Sequence, residues 1–221
     1  MIGRISKTLI RLRDLFRFRK FPGVQIHPSA VIDVPCEIGS GTRIWHFAHL
    51  YEGCSVGVDC MIGQNVMIGP NVSVGKGCKV QNNVSLYEGV TLGDGVFCGP
   101  GCVFTNVINP RAEIDRKHEF KPTLVRSGAT LGANSTIVCG TTIGKFAFIG
   151  AAAVVTKNIS DFEMVVGNPS RIIGHICVCG NNLPRDEWRE ATCRECGRLY
   201  ALSPSGVRII ETSEIEQKPD D

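Results

Sequence analysis

No apolar run in the 221-residue chain approaches the ~18 residues that a membrane span needs, so no stretch reads as a spanning helix. The first twenty residues lack the uninterrupted apolar core of a secretory signal. Charge of one sign is not in excess: 24 Lys and Arg stand against 21 Asp and Glu, a formal +3. That balance excludes a general nucleic-acid surface, and the small surplus is local. Residues 1–20 carry seven Lys or Arg and one Asp, which is +6, so the rest of the chain is −3. Also missing from most of the chain is any period of 3.6 or 2, which excludes a run of amphipathic helices or simple alternating strands.

The chain has a period of six instead. Ile26, Ile32, Ile38, Ile44 and Leu50 begin a column of large aliphatic residues that runs at six-residue steps to Phe104. The column stops there and resumes from Val125 to Val155. Four residues after each member sits a second column of small or β-branched residues, from Ala30, Cys36 and Thr42 to Ile108, then from Ala129 to Ile159. Hexapeptide repeats of this kind build a parallel β-helix, so the expected fold class is all-β. Each hexapeptide makes one flat side and three make a triangular coil. The aliphatic column points into the prism and the small column packs near the corners. Gly39, Gly63, Gly69, Gly93 and Gly144 follow aliphatic residues, where backbone with φ > 0 is expected. The repeats predict six to seven coils, roughly 30 Å tall at a strand spacing of about 4.8 Å.

Before the prism, residues 1–21 read as a basic amphipathic helix, with Ile2, Ile5, Leu9, Leu12 and Phe16 on one face. Such a helix either lies on an anionic membrane surface or packs on the prism or its neighbours, with a disordered leader as the third reading. The prism domain is expected over 22–176. Its phase breaks once: Phe104 to Val125 is one full coil of three hexapeptides plus three further residues. A loop excursion is therefore expected over 109–124. Its sequence from Arg111 to Pro122, RAEIDRKHEFKP, is rich in cations and suits an anionic ligand.

Eleven cysteines divide into two sets. Cys36, Cys54, Cys60, Cys78 and Cys102 lie in the small column and Cys98 in the aliphatic one, where they read as small core residues. Cys139 lies in neither. The remaining four form Cys177-Val178-Cys179-Gly180 and Cys193-Arg194-Glu195-Cys196-Gly197. Two close pairs can close a tetrahedral site on a soft ion, and four thiolates leave no open position for catalysis. With a hairpin expected from Arg198–Leu202 and Val207–Glu211, residues 177–211 read as a zinc ribbon ligated by Cys177, Cys179, Cys193 and Cys196. An acidic tail follows over 212–221. Cysteines placed this way fit a reducing cytosol better than a disulfide framework.

With RIWHFAH, IGQNV, VQNNVSLYEGV, VFCGPGCVFTNVINPR, GATLGANSTIVCG and VVGNPSR, the repeats resemble the left-handed β-helix acyltransferases. Residues 24–176 are most similar to the nucleotide-sugar 3-amino N-acetyltransferases. The resemblance implies left-handed winding, where general parallel crossovers would give right-handed. It implies a cytoplasmic homotrimer with acetyl-CoA lying between neighbouring prisms. If the basic helix binds lipid, the address becomes the inner face of the membrane. The implied substrate is a UDP-2-acetamido-3-amino-2,3-dideoxy-glucuronate, on the way to surface polysaccharide. The rivals are a dTDP-3-amino-6-deoxyhexose and, in another class, a non-catalytic scaffold. A γ-type carbonic anhydrase shares the fold but needs an HxxxxH pair, and His46 and His49 are three apart.

Residue by residue, Asn106 stands where many hexapeptide acyltransferases have a His base. An Asn orients the amine but accepts no proton, and His118 is the rival base. His46 and His49 are implied as sugar contacts or as coil caps. Asn83 is implied as a sugar contact or as a rung of an asparagine ladder. Arg111 and Arg116 would meet the diphosphate or form a solvated loop face. Gly132, Gly150, Ala151 and Arg171 match positions lining the CoA groove. The basic helix and the zinc ribbon depart from the family pattern, so it assigns them no role.

Overall fold

The structure is a computed structural model that describes residues 20–184, 189–204 and 206–211. The amphipathic helix expected over 1–21 falls almost wholly outside the described residues, as does the acidic tail. No helix among the described residues is long and apolar enough to cross a membrane.

Twenty strands of two or three residues run from Gln25 to Val155. They stack into three parallel sheets, one per side of a prism, with a first face opening at Gln25–Ile26, a second at Val31–Ile32 and a third at Glu37–Ile38. Ile26 pairs with Ile44 and Ile44 with Ile62, so one coil takes three hexapeptides. The solenoid is a left-handed parallel β-helix. Each strand is short because the chain turns a corner every hexapeptide. The alternation is still that of any strand. In Met67–Ile68, the Ile is buried in the prism and the Met stays half-buried outside.

Stacking puts like on like. Leu50, Ile62, Ile68, Leu86, Leu131 and Ile137 are all fully buried, and the small column fills the corners between them with Ala48, Cys54, Cys60, Val66 and Cys78. The two columns form one continuous core. Each buried aliphatic side chain contributes about 1.5–3 kcal/mol. One member of the small column departs from expectation. Ile108 is 46% exposed, because the chain has already left the prism at that point.

The glycines also serve a different purpose from the one expected. Gly39, Gly63, Gly69, Gly93 and Gly144 do not have positive φ. The left-handed positions come two residues later, at Gly41, Asn65, Asn71, Gly95 and Phe146. The glycine that follows an aliphatic residue answers a close approach instead. A Cβ at Gly75 would stand 2.6 Å from the backbone nitrogen of Asp94 in the next coil. A side chain there would push two coils apart.

The excursion differs from expectation too. Leu92 pairs with Val125 and Cys98 with Leu131, fifteen positions beyond the regular step. Those fifteen residues leave at a single corner, with no additional coil between Phe104 and Val125. The neck is closed by backbone bonds from Lys121 N–H to Asn106 O (3.0 Å) and from Thr123 N–H to the Gly89 carbonyl (3.0 Å).

At the far end the last coil is short: Ile149 pairs with Val165, two positions before the regular step would arrive. Strand Glu163–Val166 then pairs antiparallel with Arg171–His175, which covers the sheet edge. Beyond lies a separate antiparallel sheet of Glu190–Thr192, Leu199–Ser203 and Gly206–Glu211. The last two strands are the hairpin read from the sequence; the first was not anticipated.

The two kinds of glycine give an expected outcome. Gly77 has φ +65 with nothing near its missing side chain, whereas Gly75 has φ in the ordinary region and backbone against it. Gly77→Ala is expected to cost about 1 kcal/mol, and Gly75→Ala about 3 kcal/mol or more. Urea midpoints measure both, and equal costs would contradict the close-approach account.

Candidate active site

Most of the expected site residues fall on two of the prism's three corners. The corner between first and second faces carries His46, Asn83, Gly132, Gly150 and Ala151. The corner between second and third faces carries Asn106 and the excursion with Arg111, Arg116 and His118. Both corners border the second face, from opposite edges. His49 lies on that face and Arg171 on the closing edge strand. One protomer therefore holds two sets of site residues that it does not itself bring together.

At the loop corner, Asn106 is half-buried and its carbonyl accepts the neck bond from Lys121. His118 sits on a single 3-10 turn, Lys117–Glu119, with its side chain 76% exposed and its Nε2 3.7 Å from Glu119. Arg116 donates to Glu119 across 2.6 Å, and its Nε is buried without a partner among the described residues. Arg111 is exposed, and its side chain donates to the adjacent Pro110 carbonyl at 3.2 Å. The loop curls around a concavity of about 500 Å3 lined by Val107, Arg111, Ile114, Arg116, Lys117 and Phe120 among others. Arg111, Arg116 and Lys117 share that lining with Glu113 and Asp115, so cations outnumber anions by one and the arginines can meet an anion.

The other corner changes character along the axis. At its start, His27 and His46 stack with ring centroids 3.4 Å apart, beside Trp45 and Phe47, which are 45% and 62% exposed. Desolvation, and then the charge of His46, hold His27 below the usual histidine range. Further along, Asn83 adopts φ +62 and its Oδ1 accepts from Asn65 Nδ2 at 3.1 Å. In this protomer Asn83 is thus a rung of the asparagine ladder. Beyond it the corner becomes smooth, with Gly132, Gly150 and Ala151. Packing alone requires the first of these to be glycine, since a Cβ at Gly132 would stand 2.5 Å from the Ala151 nitrogen. His49 Nε2–H donates to the Asp33 carboxylate at 2.9 Å, and its ring stacks on Tyr51 at 4.0 Å.

Comparison with known proteins places this geometry in a family. Models described as "Bacterial transferase hexapeptide (six repeats)" match residues 35–70 and 59–91, and "Hexapeptide repeat of succinyl-transferase" matches 127–157. The dTDP-3-amino-3,6-dideoxy-alpha-D-galactopyranose 3-N-acetyltransferase of Aneurinibacillus thermoaerophilus is 48% identical over 175 residues, covering 79% of this chain and 89% of that enzyme. The chain belongs to the hexapeptide-repeat nucleotide-sugar N-acetyltransferases. A shorter match, 38% identical, covers 26% of this acetyltransferase and 12% of the bifunctional protein GlmU of Rubrobacter xylanophilus. Among solved structures, AntD, an N-acyltransferase from Bacillus cereus in complex with dTDP and 3-hydroxybutyryl-CoA, aligns at TM-score 0.48 and 19% identity, over 74% of this chain and 87% of that one.

The acetyltransferase carries one more cluster of chemistry-bearing side chains. The sulfurs of Cys177, Cys179, Cys193 and Cys196 lie within 4.8 Å of one another. Cys177 and Cys196 are 3.3 Å apart and Cys179 and Cys193 3.6 Å. A disulfide needs about 2.05 Å, whereas four Zn–S bonds of ~2.3 Å in a tetrahedron put sulfurs ~3.8 Å apart. The donor set therefore fits a soft divalent ion. Gly180 and Gly197 turn the two knuckles at φ +89 and +71. Arg198 donates to the Cys196 sulfur at 3.3 Å.

Sequence reasoning passed over four residues that the structure brings into play. His27 lies one coil from Trp45 and His46, and a grid of three hexapeptides per row laid on the sequence would have found it. The same holds roughly for Asp33 beside His49. Lys121 at the loop neck carried no sequence signal beyond its charge. Tyr200, fully buried, places its hydroxyl 2.9 Å from the Cys177 sulfur, and nothing in the local sequence marks it.

Proposed function

We propose that this acetyltransferase moves an acetyl group from acetyl-CoA to the 3-amino group of a nucleotide-linked amino sugar, in a groove between neighbouring prisms of a homotrimer. The observation that carries the reaction is the 48% identity, over 79% of the chain, to an enzyme named for 3-N-acetylation. The sugar follows the same lead. That relative is named for a dTDP-linked 3-amino-3,6-dideoxy sugar, so a dTDP sugar of this kind stands ahead of the UDP-linked uronate suggested by the motifs. A cytoplasmic site of action is part of the same reading. The membrane contact read from residues 1–20 adds nothing to it, since residues 1–19 lie outside the described ones.

The trimer draws support from the second face. Its outward strand positions carry no Lys, Arg, Asp or Glu, and Val31 and Val103 stand 42% and 48% exposed there. The first face puts Arg43 and Lys79 outward and the third puts Glu37 outward. An uncharged face with exposed valines suits burial against another copy. A copy standing there brings its own corner towards this one, and the two sets of site residues then face a common groove. The Gly132–Ala151 ridge would take the CoA arm and the loop corner the sugar.

The chemistry asks little of a base. The neutral amine attacks the thioester carbonyl, the C–S bond breaks and the CoA thiolate leaves. The amine's surplus proton passes to that thiolate or to water. What the protein supplies is orientation and polar stabilisation of the oxyanion. Asn106 offers a carboxamide oxygen to an amine N–H and has no titratable group. Arg111, free of any ion pair among the described residues, would meet the diphosphate, while Arg116 braces the loop through Glu119. The four cysteines stand outside the reaction and are assigned a structural zinc.

A panel of dTDP-3-amino-3,6-dideoxyhexoses and UDP-2-acetamido-3-amino-2,3-dideoxy-glucuronate tests the substrate. The highest kcat/KM is expected on a dTDP sugar. A higher value on the uronate would restore the first reading, and no CoA-dependent turnover on any would favour a scaffold. In the same assay Asn106→Ala is expected to lose the equivalent of ~1–3 kcal/mol, about 5- to 150-fold in kcat, with an unchanged pH profile. His118→Ala should leave the chemical step intact. Abolished turnover with a flattened pH profile in His118→Ala would identify a histidine base instead.

A further inference from the structure

A stack of coils must close its last layer, or the core of that layer meets water. Here the closure is made by the Arg171–His175 strand and the ribbon behind it. A second core cluster joins the two bodies: Phe162 of the last coil packs with Cys177, Leu183, Cys193, Tyr200 and Val207 of the ribbon. The backbone joins there as well, with Ile176 N–H donating to the Phe162 carbonyl at 2.9 Å.

Tyr200 is the hinge-pin of this contact. Its hydroxyl accepts from Val178 N–H at 3.1 Å and lies 2.9 Å from the Cys177 sulfur. Its ring meets Phe162 edge-on, centroids 5.6 Å apart at 74°. Phe162 stacks in turn on Phe146, at 5.5 Å and 18°. Phe146 covers Gly128 one coil further back, where any Cβ would collide with its ring. An unbroken line of rings thus runs from a cysteine of the cluster down one corner of the last two coils and ends against Gly128 of the third.

The ribbon cannot hold that line by itself. Residues 177–211 are too few to bury a sufficient core, since units below ~40 residues usually need a metal or disulfides. No disulfide joins the four cysteines among the described residues. For such a unit the free energy of metal binding is the free energy of folding. We infer that the four-cysteine metal centre is a clamp on the prism: by closing the ribbon it seats Tyr200 on Phe162 and so fastens the final coils, which carry Gly150 and Ala151. This rests on reading the cysteines as a metal site. The ligand is a soft divalent ion, zinc first, and its role in acetyl transfer is to keep the CoA side of the groove in register.

Three measurements on the full chain test the clamp. Elemental analysis of protein prepared without chelator should find one zinc per chain. Chelation should then raise amide hydrogen exchange across 142–176 by roughly tenfold or more, leave the coils from 25 to 98 unchanged, and be reversed by added zinc salt. Phe162→Ala, which removes the ring but no thiol, should keep its zinc and show the same faster exchange in 142–176. Absence of zinc would overturn the metal site itself. Zinc present, but with exchange across 142–176 indifferent both to its removal and to Phe162→Ala, would leave the metal site standing and overturn the clamp.

Discussion

Everything in this protein depends on coils that repeat every three hexapeptides and sit on one another in register. In that arrangement a side chain has the same kind of side chain above and below it, and each backbone N–H of a strand finds a carbonyl one coil away. The constraint acts on every position. Inward sites take one aliphatic residue per side. Corner sites take something small. The residue after the aliphatic one is often glycine because the next coil passes at contact distance, as at Gly75 against Asp94. Anything that does not fit the step must leave the prism, and the residues beyond Asn106 do so.

That same regularity decides where chemistry can occur. A prism with uniform flat sides fills its own interior, so specific side chains collect at corners and in the long loop. Asn106 and the arginines mark one corner. The histidines, amides and glycines mark another, in that order along the axis. In the proposed trimer a second copy completes the site, standing on the uncharged second face between the two corners. The ribbon solves a different problem, that of ending the stack. A four-cysteine cluster, a buried tyrosine and two phenylalanines link the ribbon back to the coils.

Much of this is legible in the sequence because the repeat is short and its columns are chemically simple. Ile26 to Phe104 and Val125 to Val155 can be assigned one by one, and the four ribbon cysteines announce themselves by spacing. The errors share a cause. Counting in sixes reveals phase but not which corner a break occupies, so the gap between Phe104 and Val125 reads as a coil plus three. Glycine in a sequence does not say whether it serves a positive φ or a close neighbour. Contacts between coils, such as His27 on His46, need the coil-to-coil step laid out in space. Tyr200 is invisible for a deeper reason: its partners, Cys177 and Phe162, are remote in the chain, in positions only the fold brings together.

The central claim is that the groove is shared between subunits, and mixed trimers test it most directly. Asn106→Trp blocks the loop corner and Ala151→Trp the smooth one, and each variant alone should be inactive. When the two are refolded together at equal amounts, one groove in four pairs two intact corners, so activity should return to about a quarter of that of the unmodified enzyme. Activity that stays at the level of the separate variants, in mixtures shown to contain both chains in one trimer, would contradict the account.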